Sequence, residues 1–224
     1  MLKTNTIIIS DVHLGTSVSR AKKLLEIMQK WRVKRLILLG DIFDDLNFGN
    51  LIKEHWDLLA HFRRISTKTE VVWVEGNHDK GLSKVMSAFL NIKVYKVYTW
   101  KYRKQKYLAI HGHQFDRFLK ENLLISLFSS YIYLGIQKID FKDRRISRAI
   151  KKKSKGWLRL SQKVAKSAAW YGRLRGAKYV FCGHTHLSTK KRFGNIIYYN
   201  SGCWTDIPST FITIDKDIKI NKVK

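Results

Sequence analysis

Five short polar clusters hold most of the residues in this chain that could do chemistry. They are Asp11-Val12-His13, Gly40-Asp41-Ile42-Phe43-Asp44, Gly76-Asn77-His78-Asp79, His111-Gly112-His113 and Gly183-His184-Thr185-His186. Imidazole and carboxylate together suit divalent manganese, iron or zinc, whereas calcium and magnesium favour all-oxygen shells. The clusters contain enough such groups for two cations. Each cluster alone is a weak signal; five in order point to a metal centre.

What must position them is a set of strands. Residues 6–10, 35–39 and 71–74 are short aliphatic runs, each ending at one of the clusters, and read as strands buried on both faces. Between them, residues 19–31 and 51–65 have apolar positions three and four apart, as helices do. Strand, helix, strand implies right-handed crossovers and a parallel sheet. Further strands are expected at 93–98, 107–110 and 179–182, then a hairpin of 189–193 and 196–200 joined at Gly194-Asn195, then a last strand at 211–214. Residues 114–176 have no strand signal and read as two or more helices interrupting the progression.

In an open α/β sheet the carboxyl ends of the strands gather at one crevice. Six of the eight histidines would therefore meet several carboxylates there. Asp11 and His13 alternate along a strand end, so both reach the site only where the strand has already broken into loop. The same holds for His184 and His186. Glycines at 40, 76, 112 and 183 allow tight turns and close backbone approach.

A length of 224 residues suits one α/β domain with a sizeable core, and 45% hydrophobic residues exclude a disordered chain. The start, MLKTNTIIISDVH, is not a signal peptide, because its apolar run is short and leads straight into Asp and His. Two cysteines, Cys182 and Cys203, make no disulfide framework and favour a reducing cytosol. The net charge of +27 points to anionic partners: nucleic acid, an anionic membrane face or a phosphorylated substrate. Residues 114–182 hold 17 Lys/Arg against 4 Asp/Glu, a surplus of 13 in under a third of the chain.

Inside that basic region, LLISLFSSYIYLGI (residues 123–136) carries no charge, and RRISRAIKKKSK follows soon after. Fourteen residues fall short of the ~20 that span a bilayer. Three readings remain. The stretch could line an acyl groove beside basic residues that meet phosphates. The basic run, Lys151 and Lys152 included, could contact nucleic-acid phosphates nonspecifically. Or the helix could close the core with a solvated basic face. Against nucleic acid, no aromatic platform interleaves with the basic run; Trp157 and Trp170 are isolated.

The ordered clusters resemble those of the calcineurin-like metallophosphoesterases, from residue 7 to about residue 206. The resemblance implies an α/β sandwich of two mixed sheets flanked by helices, one domain over residues 1–224 with a helical lid insertion at 114–176. It implies two divalent ions, manganese first, with iron or zinc as alternatives. Asp11, His13, Asp41 and His186 would hold one ion; Asp41, Asn77, His111 and His184 would hold the other. Such ion pairs clamp both sides of an in-line displacement at phosphorus and activate water, with no covalent intermediate. His78 would act as general acid, oriented by Asp44. Asp45 and Asp79 read as caps of the helices that follow. His113 would lie behind the ligands or face the substrate. Trp204, after the strand ending at Asn200, falls where relatives carry a substrate-side loop, with core packing as the alternative.

Within that superfamily the chain is most similar to the UDP-2,3-diacylglucosamine pyrophosphohydrolases, on Ser10-Asp11-Val12-His13-Leu14-Gly15, on His111-Gly112-x-x-Phe115-Asp116 and on the insertion before Gly183. The best-known members carry Arg where this chain has His78 and Asp where it has His113. The implied substrate is a nucleotide-linked lipid, contacted by His113, Asn77, Lys151, Lys152 and Trp204; the implied place is the cytoplasm, peripheral on the inner face of an anionic membrane. The alternative is a nuclease or other phosphodiesterase whose partner is nucleic acid. Noncatalytic scaffolds on this fold lose ligands, and here every ligand position is filled.

Overall fold

The computed structural model describes residues 1–116 and 155–224. Among these residues, eleven strands form two mixed sheets. The first contains β1 (Leu2–Ile9), β2 (Trp31–Leu39), β3 (Glu70–Val74), β4 (Lys93–Tyr95), β10 (Ser209–Ile214) and β11 (Ile218–Val223), in the order β11-β10-β1-β2-β3-β4. The second contains β5 (Tyr98–Tyr102), β6 (Gln105–Ala109), β7 (Tyr179–Cys182), β8 (Thr189–Phe193) and β9 (Ile196–Asn200), in the order β5-β6-β7-β9-β8. β1 to β4 are parallel, as the alternation of strands and helices requires, and β10 and β11 close the sheet antiparallel.

Alternation along the strands builds the layers. Ile7, Ile9, Leu36, Leu38, Val71 and Trp73 point outward into a core shared with α1 (Ala21–Gln29), α2 (Lys53–Ser66) and α3 (Ser83–Leu90). Ile8, Ile37, Leu39, Val72 and Val74 point inward against Tyr98, Trp100, Tyr107, Phe181 and Tyr199 of the second sheet. This is why these strands read as continuous apolar runs: both faces are covered. The inward aromatics stack as a ladder, Trp100 on Tyr107 at 5.2 Å and Phe181 on Tyr199 at 5.4 Å between ring centres. On the far face of the second sheet lies α4 (Lys155–Leu174), which buries Ser161, Val164, Ala165, Ala168, Ala169 and Gly172. Small residues bring it close: a Cβ on Gly172 would collide with Val180.

Two boundaries differ from the sequence reading. The expected strand at 93–98 is two strands in different sheets, because the chain crosses from one sheet to the other at Lys96 and Val97. A further strand, β11, follows the expected last one. Residues 123–136, Lys151 and Lys152 lie outside the described residues, as does most of the expected helical region before α4. Among the described residues, no helix is long and apolar enough to cross a membrane.

Candidate metal centre

All five clusters emerge from the carboxyl ends of strands or the loops beyond them, and backbone hydrogen bonds tie them together. The N–H groups of Val12 and His13 donate to the Asp41 carbonyl at 2.9 and 3.1 Å, and Gly183 N–H donates to the His111 carbonyl at 3.0 Å. Asp11, His13, Asp41, His184 and His186 all have positive φ, between 50° and 65°. Few side-chain-bearing residues adopt this left-handed conformation, and such strain concentrates at functional sites. It also answers how Asp11 and His13 reach the same place: the strand has ended, and each residue turns the chain. Gly76 and Gly183 are required by close approach, since a Cβ on either would run into the carboxylate of Asp41 or Asp11 respectively.

The side chains form three groups whose potential ligand atoms lie within 4.8 Å of one another: Asp11, His13 and His186; Asp41, His111 and His184; and His13, Asp44 and His78. His186 Nε2 is 3.2 Å from Asp11 Oδ1, and His111 Nε2 is 3.2 Å from Asp41 Oδ2. Asn77 Oδ1 is buried without a hydrogen-bond partner. Buried polar atoms left so are costly unless something electropositive meets them. Oxygen and imidazole ligands, in two adjacent groups with this unsatisfied oxygen, fit divalent cations.

Electrostatics are those of a concentrated site. Burial opposes charge on Asp41, yet His111 and His78 beside it hold its carboxyl well below the usual range. Burial likewise disfavours the Asp11 carboxylate, and His186 outweighs it and lowers the pKa. For His111, burial is overcome by Asp41 and Asp11, which push it up to about 10. His184 is lowered, chiefly by burial, and so favours the neutral form that a metal needs. His78 is raised: burial works against its charge, but Asp41 and the Asp44 carbonyl prevail.

The structure brings His78 to Asp44 in an unexpected way. His78 Nδ1 donates to the backbone carbonyl of Asp44, while the Asp44 carboxylate pairs with His13 Nδ1 at 2.9 Å. His113 lies on a 3₁₀ turn (His113–Phe115), half-buried, its ring 5.5 Å from that of His111. Trp204 is fully buried against Phe211 in the core, so its ring faces no substrate; its backbone N–H instead donates to the Asp11 carbonyl at 2.9 Å. Asp79 does not cap a helix with its side chain. Its buried carboxylate accepts from the N–H groups of Ile42 (3.0 Å), Phe43 (3.1 Å) and Gly76 (3.3 Å) and from the Trp73 indole (3.1 Å). Burial and the nearby Asp41 charge push it up to about 6. Asp45 accepts from Asn47 N–H at 2.8 Å in a turn, and it is Asn47 that caps the short helix after it. Two residues to which the sequence reading gave no role at the site also touch it: Asp116, which closes the His111-Gly112-x-x-Phe115-Asp116 motif, has Oδ2 3.1 Å from His184 Nε2, and the Trp157 indole donates to the Thr185 carbonyl at 2.9 Å.

The model of the calcineurin-like phosphoesterase superfamily domain matches residues 5–217. No curated protein matches the chain. Among solved structures, the chain is similar to the phosphoesterase Yfce from E. coli, with 18% identity and a TM-score of 0.54 over 95% of this chain and 88% of that one. It is similar to an archaeal phosphodiesterase at 15% identity and TM-score 0.53, over 97% and 99% of the two chains. It is also similar to Vps29 of Chaetomium thermophilum at 8% identity and TM-score 0.50, over 97% and 96%. Identities this low speak for the fold alone. The family match spans nearly the full length and takes in all five strand-end clusters, so the chain belongs to the calcineurin-like phosphoesterase superfamily and is a metal-dependent phosphoester hydrolase.

Proposed function

We propose that this enzyme hydrolyses the pyrophosphate of a nucleotide-linked lipid, of the kind cleaved by UDP-2,3-diacylglucosamine pyrophosphohydrolases. The observation that supports this reading is where the insertion is rooted. Going in, the chain passes the 3₁₀ turn at His113–Phe115 and places Asp116 against His184. Coming out, α4 places Trp157 against Thr185. The segment carrying the uncharged residues 123–136 and the basic run therefore begins and ends beside the metal centre. A substrate with a diphosphate next to acyl chains matches that sequence of chemistry.

Divalent ions bound here, manganese in this proposal, supply charge to neutralise phosphoryl oxygens and a water of lowered pKa. Asp11, His13 and His186 would hold one ion, and Asn77, His111 and His184 the other. Asp41, whose Oδ1 accepts the His78 N–H at 3.0 Å and whose Oδ2 faces His111, would serve both ions. His78, fixed through Nδ1 by the Asp44 carbonyl, uses Nε2 to pass a proton to the oxygen that leaves as the P–O bond breaks. The Asp44 carbonyl at Nδ1 favours the protonated form of the ring. An anionic bilayer face is the proposed neighbour, on the basic surplus of residues 114–182.

The test is hydrolysis by the Mn²⁺-loaded protein of UDP-diacylglucosamine, a cyclic nucleotide and single-stranded DNA. Release of UMP from the lipid is expected. The net charge of +27 favours a second reading, a phosphodiesterase acting on nucleic acid, and turnover of DNA alone would establish it in place of the first.

A further inference from the structure

We infer that Asp116 and Trp157, one at each root of the insertion, are positioning residues that hold the Gly183-His184-Thr185-His186 loop in its ligating geometry. This loop has to be held from outside. His184 and His186 both have positive φ, at 65° and 53°, and non-glycine residues stay in that region only where their surroundings over-determine it.

The sandwich supplies part of the restraint. The Asp11 carboxylate accepts the His184 N–H at 3.0 Å, and Asn200 Nδ2 donates to the Gly183 carbonyl at 2.6 Å and to Thr185 Oγ1 at 3.1 Å. The insertion adds to it. His184 Nε2–H donates to Asp116 Oδ2 at 3.1 Å, and the Trp157 indole N–H donates to the Thr185 carbonyl at 2.9 Å. The two roots also pack on each other, with Phe115 5.9 Å from Tyr171 between ring centres.

The chemistry of the Asp116 contact is specific. A neutral imidazole carries one proton, and a carboxylate at Nε2 fixes it there, leaving the lone pair on Nδ1 as the ligand. A carboxylate behind a ligating histidine also raises its basicity and sets its ring orientation. Asp116 is only 2% exposed, so water does not substitute for the imidazole it faces. Trp157 acts on the backbone between the two histidines and so restrains both. The insertion thus contributes to the metal centre itself, whatever substrate it also contacts. The inference rests on His184 and His186 being ligands and not on the lipid substrate.

The experiment is a calorimetric Mn²⁺ titration of the full chain, stripped by chelator, as wild type, Asp116→Asn, Asp116→Glu and Trp157→Phe. Asp116→Asn should weaken one of two binding steps roughly 10- to 100-fold, with partial recovery in Asp116→Glu. Trp157→Phe, which removes the indole N–H while keeping an aromatic ring, should weaken both steps several-fold. Wild-type Mn²⁺ affinity in both Asp116→Asn and Trp157→Phe would overturn the inference, even if their melting temperatures fall. Should Asp116→Asn not fold, Trp157→Phe alone decides, with unchanged affinity counting against. A wild-type chain that binds no Mn²⁺ would instead refute the ligand assignment beneath it.

Discussion

His78 is fixed at Nδ1 by the carbonyl oxygen of Asp44, while the Asp44 carboxylate reaches across to His13. One residue thereby orients both the proposed acid and a proposed ligand, through different atoms. Sequence indicated the partnership of Asp44 and His78 but not which atoms make it, because residue type does not reveal whether backbone or side chain is used. Asp79 shows the same limit more sharply. An Asp before a helix reads as a cap, yet four N–H donors converge on this one from the loops after β2 and β3 and from Trp73. Nothing local in Gly76-Asn77-His78-Asp79 signals that reach of more than thirty residues back to Ile42 and Phe43. For His78→Ala, the expectation is full binding of metal, measured by elemental analysis, with turnover reduced roughly 100- to 10,000-fold, as for loss of a general acid. Asp41→Asn should lose metal as well as activity. Wild-type turnover in His78→Ala would remove the acid assignment.

The strand-end loops carry the candidate ligands, and here the sequence was most legible. Aliphatic runs ending in Asp, Asn or His, in a chain that alternates strand and helix, leave few other arrangements. The break of strand into loop at Asp11 and His184 was also readable, since alternation along an unbroken strand would point their neighbours away. The split of residues 93–98 between two sheets was not, because no glycine or proline marks the crossing. Trp204 was ambiguous for a related reason: a loop beside the site and the core behind it are adjacent in sequence, and only packing against Phe211 separates them. The loops depend on near contact of backbone and carboxylate. Gly183→Ala would drive a Cβ into Asp11 Oδ2 and Ser10, which follow β1 of the other sheet. It should lower stability by roughly 1–3 kcal/mol, as overpacking does, and weaken Mn²⁺ binding. Urea denaturation and metal titration of the variant check both effects; an unchanged midpoint and affinity would mean the loop can move away freely.

Across the fold, the sandwich supports a site crowded with groups that titrate, while α2 buries two further histidines. His55 is 1% exposed and His61 6% exposed, both on α2. Burial lowers the pKa of each, and Arg64 lowers that of His61 further. A histidine whose folded pKa lies below its unfolded value near 6.5 contributes full stability above that pH and loses it as pH falls, because the unfolded chain then binds more protons. The urea midpoint of the metal-loaded protein should therefore drop between pH 7 and pH 5.5, and the drop should be shallower in His55→Gln/His61→Gln. Equal slopes would show that these histidines do not contribute.

The most direct measurement is the metal content of the Mn²⁺-saturated chain, taken beside its hydrolysis of bis(p-nitrophenyl) phosphate before and after chelation. Two ions per chain, with activity lost on chelation and restored by Mn²⁺, are what clusters built around Asp11 and Asp41 require. Fewer than two ions in active protein, or turnover that survives complete removal of metal, would contradict the two-ion centre.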